Sequence, residues 1–220
     1  MIVGIIGRPD KRDDKVLVDT TTNKIRRAII KNGGIPIVIL PPQDINYYDV
    51  HEDFPKLTDE EKNMIITSLK LCDALVFQGG NRWYEYDEFI CKYAIEHDIP
   101  SLMICMSMQL LSCVTMENSK LDLVGGHLSD SDYAHSVNIK EDGILYKILG
   151  RDKLMVNSMH RYTVSDTNLF IEATSSDGVI EAISMPSKKF ILGLQWHPEK
   201  LIDTDDDSNK IFKYFIDIAK

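Results

Sequence analysis

The apolar positions of this chain change their spacing several times, and each change marks an element. Ile2-Val3-Gly4-Ile5-Ile6 is a short apolar run, read as a buried strand. Ile25, Ala28 and Ile29 give residues 20–32 a helical spacing that Asn32-Gly33-Gly34 stops in the manner of a C-cap. Residues 35–40 form a second β-branched run closed by Pro41-Pro42, and the polar, aromatic stretch 43–57 reads as a surface loop. Thr58-Asp59-Glu60-Glu61 has capping-box spacing and opens a helix to about Lys70. Residues 74–77 make a third strand, ended by Gly79-Gly80, and Tyr86, Phe89, Ile90, Tyr93 and Ala94 predict a helix over 84–97. A fourth strand at 101–104 leads directly into a helix from Met106 to about Thr115. Continuous apolar strands alternating with helices imply a parallel sheet covered on both faces.

From about residue 120 the pattern shortens. Alternating runs at 136–139, 154–156, 171–173, 179–183 and 190–194 are separated by turn signals such as Glu141-Asp142-Gly143 and Ser176-Asp177-Gly178. They predict antiparallel or mixed strands that continue the same domain. A last amphipathic helix, 208–219, follows the acidic stretch 203–207, whose charge suits the positive end of a helix dipole. The expected architecture is a flavodoxin-like three-layer α/β sandwich. It has a mostly parallel central sheet, helices on both faces and extra mixed strands in the second half, all in one domain over 1–220.

Composition narrows the function. With 220 residues, 44% hydrophobic and 27% charged, the chain is ordinary for a globular protein. A net charge of −9 argues against nucleic acid and anionic membrane as partners, since both require a basic surface. No apolar run approaches the ~20 residues of a membrane span. The N-terminus reads as a first strand, not a signal peptide, so the four Cys (72, 91, 105, 113) are expected as thiols in a reducing cytoplasm.

Cys105 stands where the fourth strand meets its helix. A side chain at such a corner lies at the carboxyl end of the sheet, where open α/β sheets place ligands. The first amides of the helix can lower a thiol pKa there and hold an oxyanion. From position alone, a small buried packing residue is the leading alternative for Cys105, and packing is the reading for Cys72, Cys91 and Cys113. No C-x-x-C pair and no Cys/His cluster has metal spacing, so no metal and no cofactor is expected. A thiol nucleophile needs a base with an orienting group. His197 closes the run 190–196, and Glu199 follows two residues on, on the same side if the chain is extended. His51 and His97 read as surface residues.

At these residues the chain resembles the class I glutamine amidotransferases. Met103-Ile104-Cys105-Met106-Ser107-Met108-Gln109 is similar to their G-x-C-x-G-x-Q elbow, and Gly193-Leu194-Gln195-Trp196-His197-Pro198-Glu199 to their G-[LV]-Q-[WF]-H-P-E block. Gly33-Gly34-Ile35-Pro36, Gln78-Gly79-Gly80, Val156-Asn157-Ser158-Met159-His160 and Asp177-Gly178-Val179-Ile180-Glu181-Ala182 resemble one branch, the γ-glutamyl-γ-aminobutyrate hydrolase-like (peptidase C26) proteins. The resemblance implies a Cys105–His197–Glu199 triad acting on a small γ-glutamyl amide. Backbone amides of Gly80 and Met106 would form the oxyanion hole, and Gly79, Gln109, Asn157, Ser158 and His160 would line the glutamyl pocket.

The elbow departs from that pattern. Met103 and Ser107 replace Gly, Met106 stands where Arg is common, and Gln78 where Pro is frequent. Three functions follow: a free-standing γ-glutamyl amide hydrolase, a glutaminase subunit feeding ammonia to a separate synthetase, or a catalytically impaired binding protein on the same scaffold. The residues contain no synthetase pattern, and they leave a homodimer open. The amine on the leaving side falls to the loops 43–57, 81–88 and 126–134, with Tyr47, Tyr48, Trp83 and Tyr84 as candidate lining or surface aromatics.

Overall fold

The computed structural model describes residues 1–14, 16–43, 56–117 and 119–220, so Tyr47, Tyr48, His51 and most of the loop 43–57 lie outside the described residues. The N-terminal apolar run is β1 (Ile2–Ile6), followed by a hairpin of β2 (Arg8–Lys11) and β3 (Leu17–Thr20). Then come α1 (Asn23–Lys31), β4 (Ile35–Ile39), α2 (Asp59–Leu69), β5 (Ala74–Phe77), α3 (Glu85–Glu96), β6 (Ser101–Ile104) and α4 (Met106–Thr115). The second half holds β7 (Leu121–Leu123), β8 (His135–Ile139), α5 (Ile144–Leu149), β9 (Lys153–Val156), β10 (Tyr162–Val164), β11 (Phe170–Ser175), β12 (Ile180–Ser184), β13 (Ile191–Leu194) and α6 (Asp206–Ala219).

Nine strands form one sheet in the order β4-β1-β5-β6-β13-β12-β11-β8-β9. The pairings from β4 to β13 are parallel, and those from β13 to β9 are antiparallel. The parallel half has flavodoxin-like order, and β5, β6 and β13 are buried at every residue. Burial on both faces is why their sequences read as unbroken apolar runs. Period-2 alternation sends Val3, Ile5, Val76, Leu102, Ile104 and Leu194 to the face covered by α1, α5 and α6. The opposite face carries Ile6, Leu75, Phe77, Met103 and Ile191 under α2, α3 and α4. That gives three layers, as the alternation of apolar strands and helices predicted. Among the described residues no helix is long and apolar enough to cross a membrane.

The capping box at Thr58 forms: Glu61 N donates to Thr58 Oγ1 (3.2 Å) and Thr58 N to Glu61 Oε2 (2.7 Å). Asn32 caps α1, and Gly33 takes a φ of 87°, where a side chain would be strained. Pro36 sits in β4, an edge strand that tolerates a residue without an N–H. Two features have no local signature. The β2–β3 hairpin occupies a stretch in which the apolar pattern predicted no strand. Helix α5 starts where the sequence shows a turn, because its cap comes from another strand. Ile144 N (3.1 Å) and Leu145 N (2.9 Å) donate to the buried Glu172 carboxylate of β11, which also accepts from Ser184 Oγ (2.5 Å). A Cβ on Gly143 would collide with that carboxylate.

Glu172→Ala leaves two amides and a hydroxyl unsatisfied in the interior. We expect a loss of about 1.5–3 kcal/mol in urea denaturation with an unchanged m-value. A loss under ~0.5 kcal/mol would show that water replaces the carboxylate.

Candidate active site

Three neighbouring parallel strands, β5, β6 and β13, end at the same edge of the sheet and deliver Gly79, Cys105 and His197 side by side. Cys105 makes the whole turn between β6 and α4. Its φ of 54° and ψ of −112° are rare for a residue with a side chain. Cys105 N donates to Leu194 O at 2.7 Å, and its carbonyl accepts from Met108 N at 3.0 Å, so strand and helix both hold the turn. The Met106 amide is the first of the helix and has no carbonyl one turn back within α4 to bond. Cys105 itself is only 6% exposed.

The atypical elbow residues find partners. Met103 is fully buried in the α2–α4 face of the core, in register with Gly193 of β13. A Cβ on Gly193 would lie 2.9 Å from Met108 Cγ, so Met108 takes the space that this glycine leaves. Ser107 Oγ donates to Gln78 O at 2.8 Å, tying the helix to the end of β5. Gln78 in turn donates to Ile6 O (2.8 Å) and Thr20 O (3.0 Å) and accepts from Thr22 N (3.1 Å). This side chain joins β1, the hairpin and the start of α1, a role Pro could not fill.

His197 Nδ1 lies 2.7 Å from Glu199 Oε1, and the ring faces Cys105 on its other side. The connecting backbone is not extended. Residues Pro198–Lys200 form a single 3₁₀ turn, which curls Glu199 back under the imidazole. Asn157 holds the histidine backbone twice, accepting from His197 N and donating to His197 O, each at 2.8 Å. Gly79 leaves room for the ring: a Cβ there would stand 2.8 Å from His197 Cε1 and 3.3 Å from Cys105 Cβ. Burial works against charge on His197, but the Glu199 carboxylate and the hydrogen bonds to Cys105 and Glu199 push its pKa up to about 10. Burial drives the other thiols the opposite way. It raises Cys72, with help from Asp73, to about 11, and it raises Cys91 and Cys113 as well.

A second contact to the sulfur was not singled out from the sequence. Buried Gln195 directs Nε2 at Cys105 Sγ (3.6 Å), and its Oε1 accepts from Gln109 Nε2 (3.0 Å), which also donates to Tyr162 O (2.8 Å). Gln109 therefore fixes which end of the Gln195 amide faces the thiol. Strand alternation placing 195 and 197 on one side was the available signal. Beside the thiol lies a cavity of about 550 Å³ lined by residues including Gly80, Met106, Gln109, His160, Arg161 and Tyr162. Gly79 and Gly80 face a neighbouring cavity of about 480 Å³ with Arg8 and Asp10. Asn157 and Ser158 line neither cavity: Asn157 grips His197, and Ser158 Oγ donates to His127 O (2.9 Å). Of the three loops expected around the leaving amine, 81–88 supplies Asn81, Arg82 and Tyr84 to the 480 Å³ cavity, and 126–134 supplies Leu128 to the larger one.

The peptidase C26 family model matches residues 84–199, which include the elbow, the grip on His197 and the His197–Glu199 pair. The chain belongs to the peptidase C26 family. Its relatives include a Schizosaccharomyces pombe protein named as a glutamine amidotransferase, 30% identical over 88% of this chain and 80% of its own length. A glutamine amidotransferase-like protein of Rickettsia prowazekii is 28% identical over 88% and 86%. A Staphylococcus aureus CTP synthase is 25% identical over 86% of this chain but 40% of its own length. Two solved structures share the fold. A Thermoplasma acidophilum protein described as a GMP synthase component has a TM-score of 0.68, 15% identity and coverage of 100% and 94%. The glutaminase domain of Trypanosoma brucei CTPS with bound acivicin has a TM-score of 0.66, 17% identity and coverage of 99% and 93%. This C26 protein is thus a glutamine amidotransferase-like C–N hydrolase on a flavodoxin-like fold.

Two measurements test the geometry of this C26 site. In an NMR titration His197 should stay imidazolium through neutral pH and deprotonate near pH 10. Because the folded value lies above the ordinary one, the stability from that proton is complete below about pH 6.5 and is lost as pH rises toward 10. A ring titrating near 6.5 removes the ion pair. Gly79→Ala should displace the ring and slow Cys105 alkylation by at least ~10-fold at pH 7, with the other three thiols unreactive in both proteins.

Proposed function

We propose that this protein hydrolyses γ-glutamyl amides through a Cys105–His197–Glu199 triad. The observation that supports it most is the half-buried His197, bonded to Glu199 at 2.7 Å on one side and facing on the other Cys105, which lines a cavity of about 550 Å³. The Cys105 thiolate attacks the γ-carbonyl carbon, and the carbonyl electrons move to oxygen. Amides of Gly80 and Met106 receive that oxyanion. His197, carrying the thiol proton, gives it to the leaving nitrogen as the C–N bond breaks, and an amine departs from a γ-glutamyl thioester. Water then attacks the thioester carbon while His197 takes its proton. Collapse of the second tetrahedral adduct releases glutamate and restores the thiolate–imidazolium pair.

Residues around the cavity suit the glutamyl head. Gln109 offers a polar edge, Arg161 adds a cation suited to the α-carboxylate, and His160 lines the same wall with both ring nitrogens already engaged. Asn157 and Ser158 would act one step back: Asn157 positions His197, and Ser158 braces the segment carrying His127. The neighbouring cavity, with Asp10 and Arg82 on its wall, is placed to receive the amine. Free thiols suit a reducing, cytoplasmic setting. Relatedness to CTP synthases supports a second reading, a glutaminase that passes ammonia to a synthetase partner.

A hydrolysis screen over γ-glutamyl amines and glutamine decides between them. Wild type should release glutamate from at least one γ-glutamyl amine faster than from glutamine, and Cys105→Ala should release none. Activity confined to glutamine, with a synthetase copurifying, favours the second reading. No release from any substrate leaves a binding protein. Glu199→Gln should lower kcat by about 10²–10⁴-fold with little change in KM. The kcat/KM profile should be a bell whose alkaline limb follows loss of the His197 proton toward pH 10.

A further inference from the structure

A second cluster of titratable side chains lies behind the wall of the cavity, and the triad does not use it. His127 and His160 sit on two segments joined by the bridge Leu128–Met159 and by His160 N donating to His127 O (2.9 Å). His135 comes from β8 and Glu181 from β12. His127, His160 and Glu181 are buried, and His135 is half-buried.

Hydrogen bonds on the outside of the cluster fix the tautomers. His127 Nε2 faces the Asp177 carboxylate at 3.0 Å, so the proton of the neutral ring is on Nε2 and Nδ1 carries a lone pair. His160 Nδ1 faces Tyr162 O at 3.0 Å, so its Nε2 carries a lone pair. Those two lone pairs point at one another across 3.1 Å. Glu181 Oε1, another acceptor, is 3.3 Å from the first and 3.7 Å from the second. His135 Nε2 is 3.0 Å from the same oxygen. Ser158 lies near His127 Nδ1 (3.4 Å), but its hydroxyl is already given to His127 O. The other oxygen of Glu181, Oε2, is buried with no hydrogen-bond partner among the described residues. Electron-rich atoms do not converge this way unless something positive sits between them.

We infer that His127 Nδ1, His135 Nε2, His160 Nε2 and Glu181 Oε1 bind a divalent cation of the zinc class in a tetrahedral site. Four of the six separations between these atoms are 3.0–3.7 Å, the length of the edges of such a site, and the ligand atoms of His127, His135 and Glu181 all lie within 4.8 Å of one another. Bonds of about 2.0–2.1 Å to a tetrahedral zinc ion place ligand atoms ~3.3 Å apart. Three imidazoles and one carboxylate suit zinc, and a set of four protein ligands is characteristic of a structural site. The outer contacts are those expected of metal-bound histidines, one N–H given to a carboxylate and one to a backbone carbonyl. Asp177 is itself held by Ser175 Oγ (2.5 Å) and is exposed, which marks the way in.

The cation would fix the wall beside Cys105. His160 and Tyr162 line the cavity there, and Tyr162 O holds Gln109. His160 then serves as a metal ligand that positions this wall.

The test uses the full chain and reads binding, not turnover. Protein stripped with chelator is titrated with Zn²⁺ and, separately, Co²⁺, and metal content is measured by mass spectrometry. Wild type and Cys105→Ser should each take up one equivalent, and the cobalt protein should show the intense visible bands of four-coordination. Zinc should raise Tm. His135→Gln and Glu181→Gln should each weaken binding by at least ~100-fold, and Asp177→Asn by about 10–100-fold. If Glu181→Gln does not fold, the half-buried His135 and exposed Asp177 positions decide. Failure of wild type to bind at micromolar metal, a weak six-coordinate cobalt spectrum, or uptake unchanged in His135→Gln and Asp177→Asn would overturn the assignment and leave a proton-bridged histidine network.

Discussion

Strand β6 must end and helix α4 begin within one residue, and Cys105 alone makes that turn, with φ at 54°. The conformation is unfavourable for any side chain and persists because its neighbours over-determine it. Its N–H is bonded to β13, its carbonyl to the first turn of α4, and its flanks are pinned by buried Met103 and by Ser107. In return the thiol stands clear of the sheet at the positive end of a helix, between the ends of β5 and β13. If this turn relaxed, the sulfur would swing away from His197, and the glycine at 79 that makes room for the ring would have no purpose.

The departures from the amidotransferase elbow form one connected solution. Met103 fills the core, while Gly193 beside it omits a side chain and leaves its space to Met108. Ser107 reaches Gln78, and Gln78 gathers β1, the hairpin and α1. Two of the departures, Ser107 and Gln78, bond to one another, and Met103 is accommodated within the close-packed core. The motive for a catalytically impaired protein came from residues taken one at a time.

The parallel half was readable because its strands are apolar on both faces and its helices carry their own caps, as Thr58 and Asn32 do. The hairpin at 8–20 was not, since its strands are short and partly exposed. Helix α5 was missed because Glu172, 28 residues beyond Ile144, caps it. The motifs singled out Cys105, His197 and Glu199, and the fold brings these three side chains together. The expected extended path between His197 and Glu199 was replaced by a 3₁₀ turn, because Pro198 suits the first position of a helical turn as well as it blocks an interior one.

By itself the sequence determined the kinds of element, their order and the presence of a thiol, an imidazole and a carboxylate at strand ends, because period, caps and turn residues act over a few positions. Tertiary structure decided what those groups face. It turned Asn157 onto the backbone of His197, aimed Gln195 at the sulfur through Gln109, and gathered three histidines and Glu181 from four separate segments. No spacing along the chain encodes such meetings. They arise where strands distant in sequence become neighbours in the sheet, and the lone pairs and charges brought together there must be neutralised on the spot.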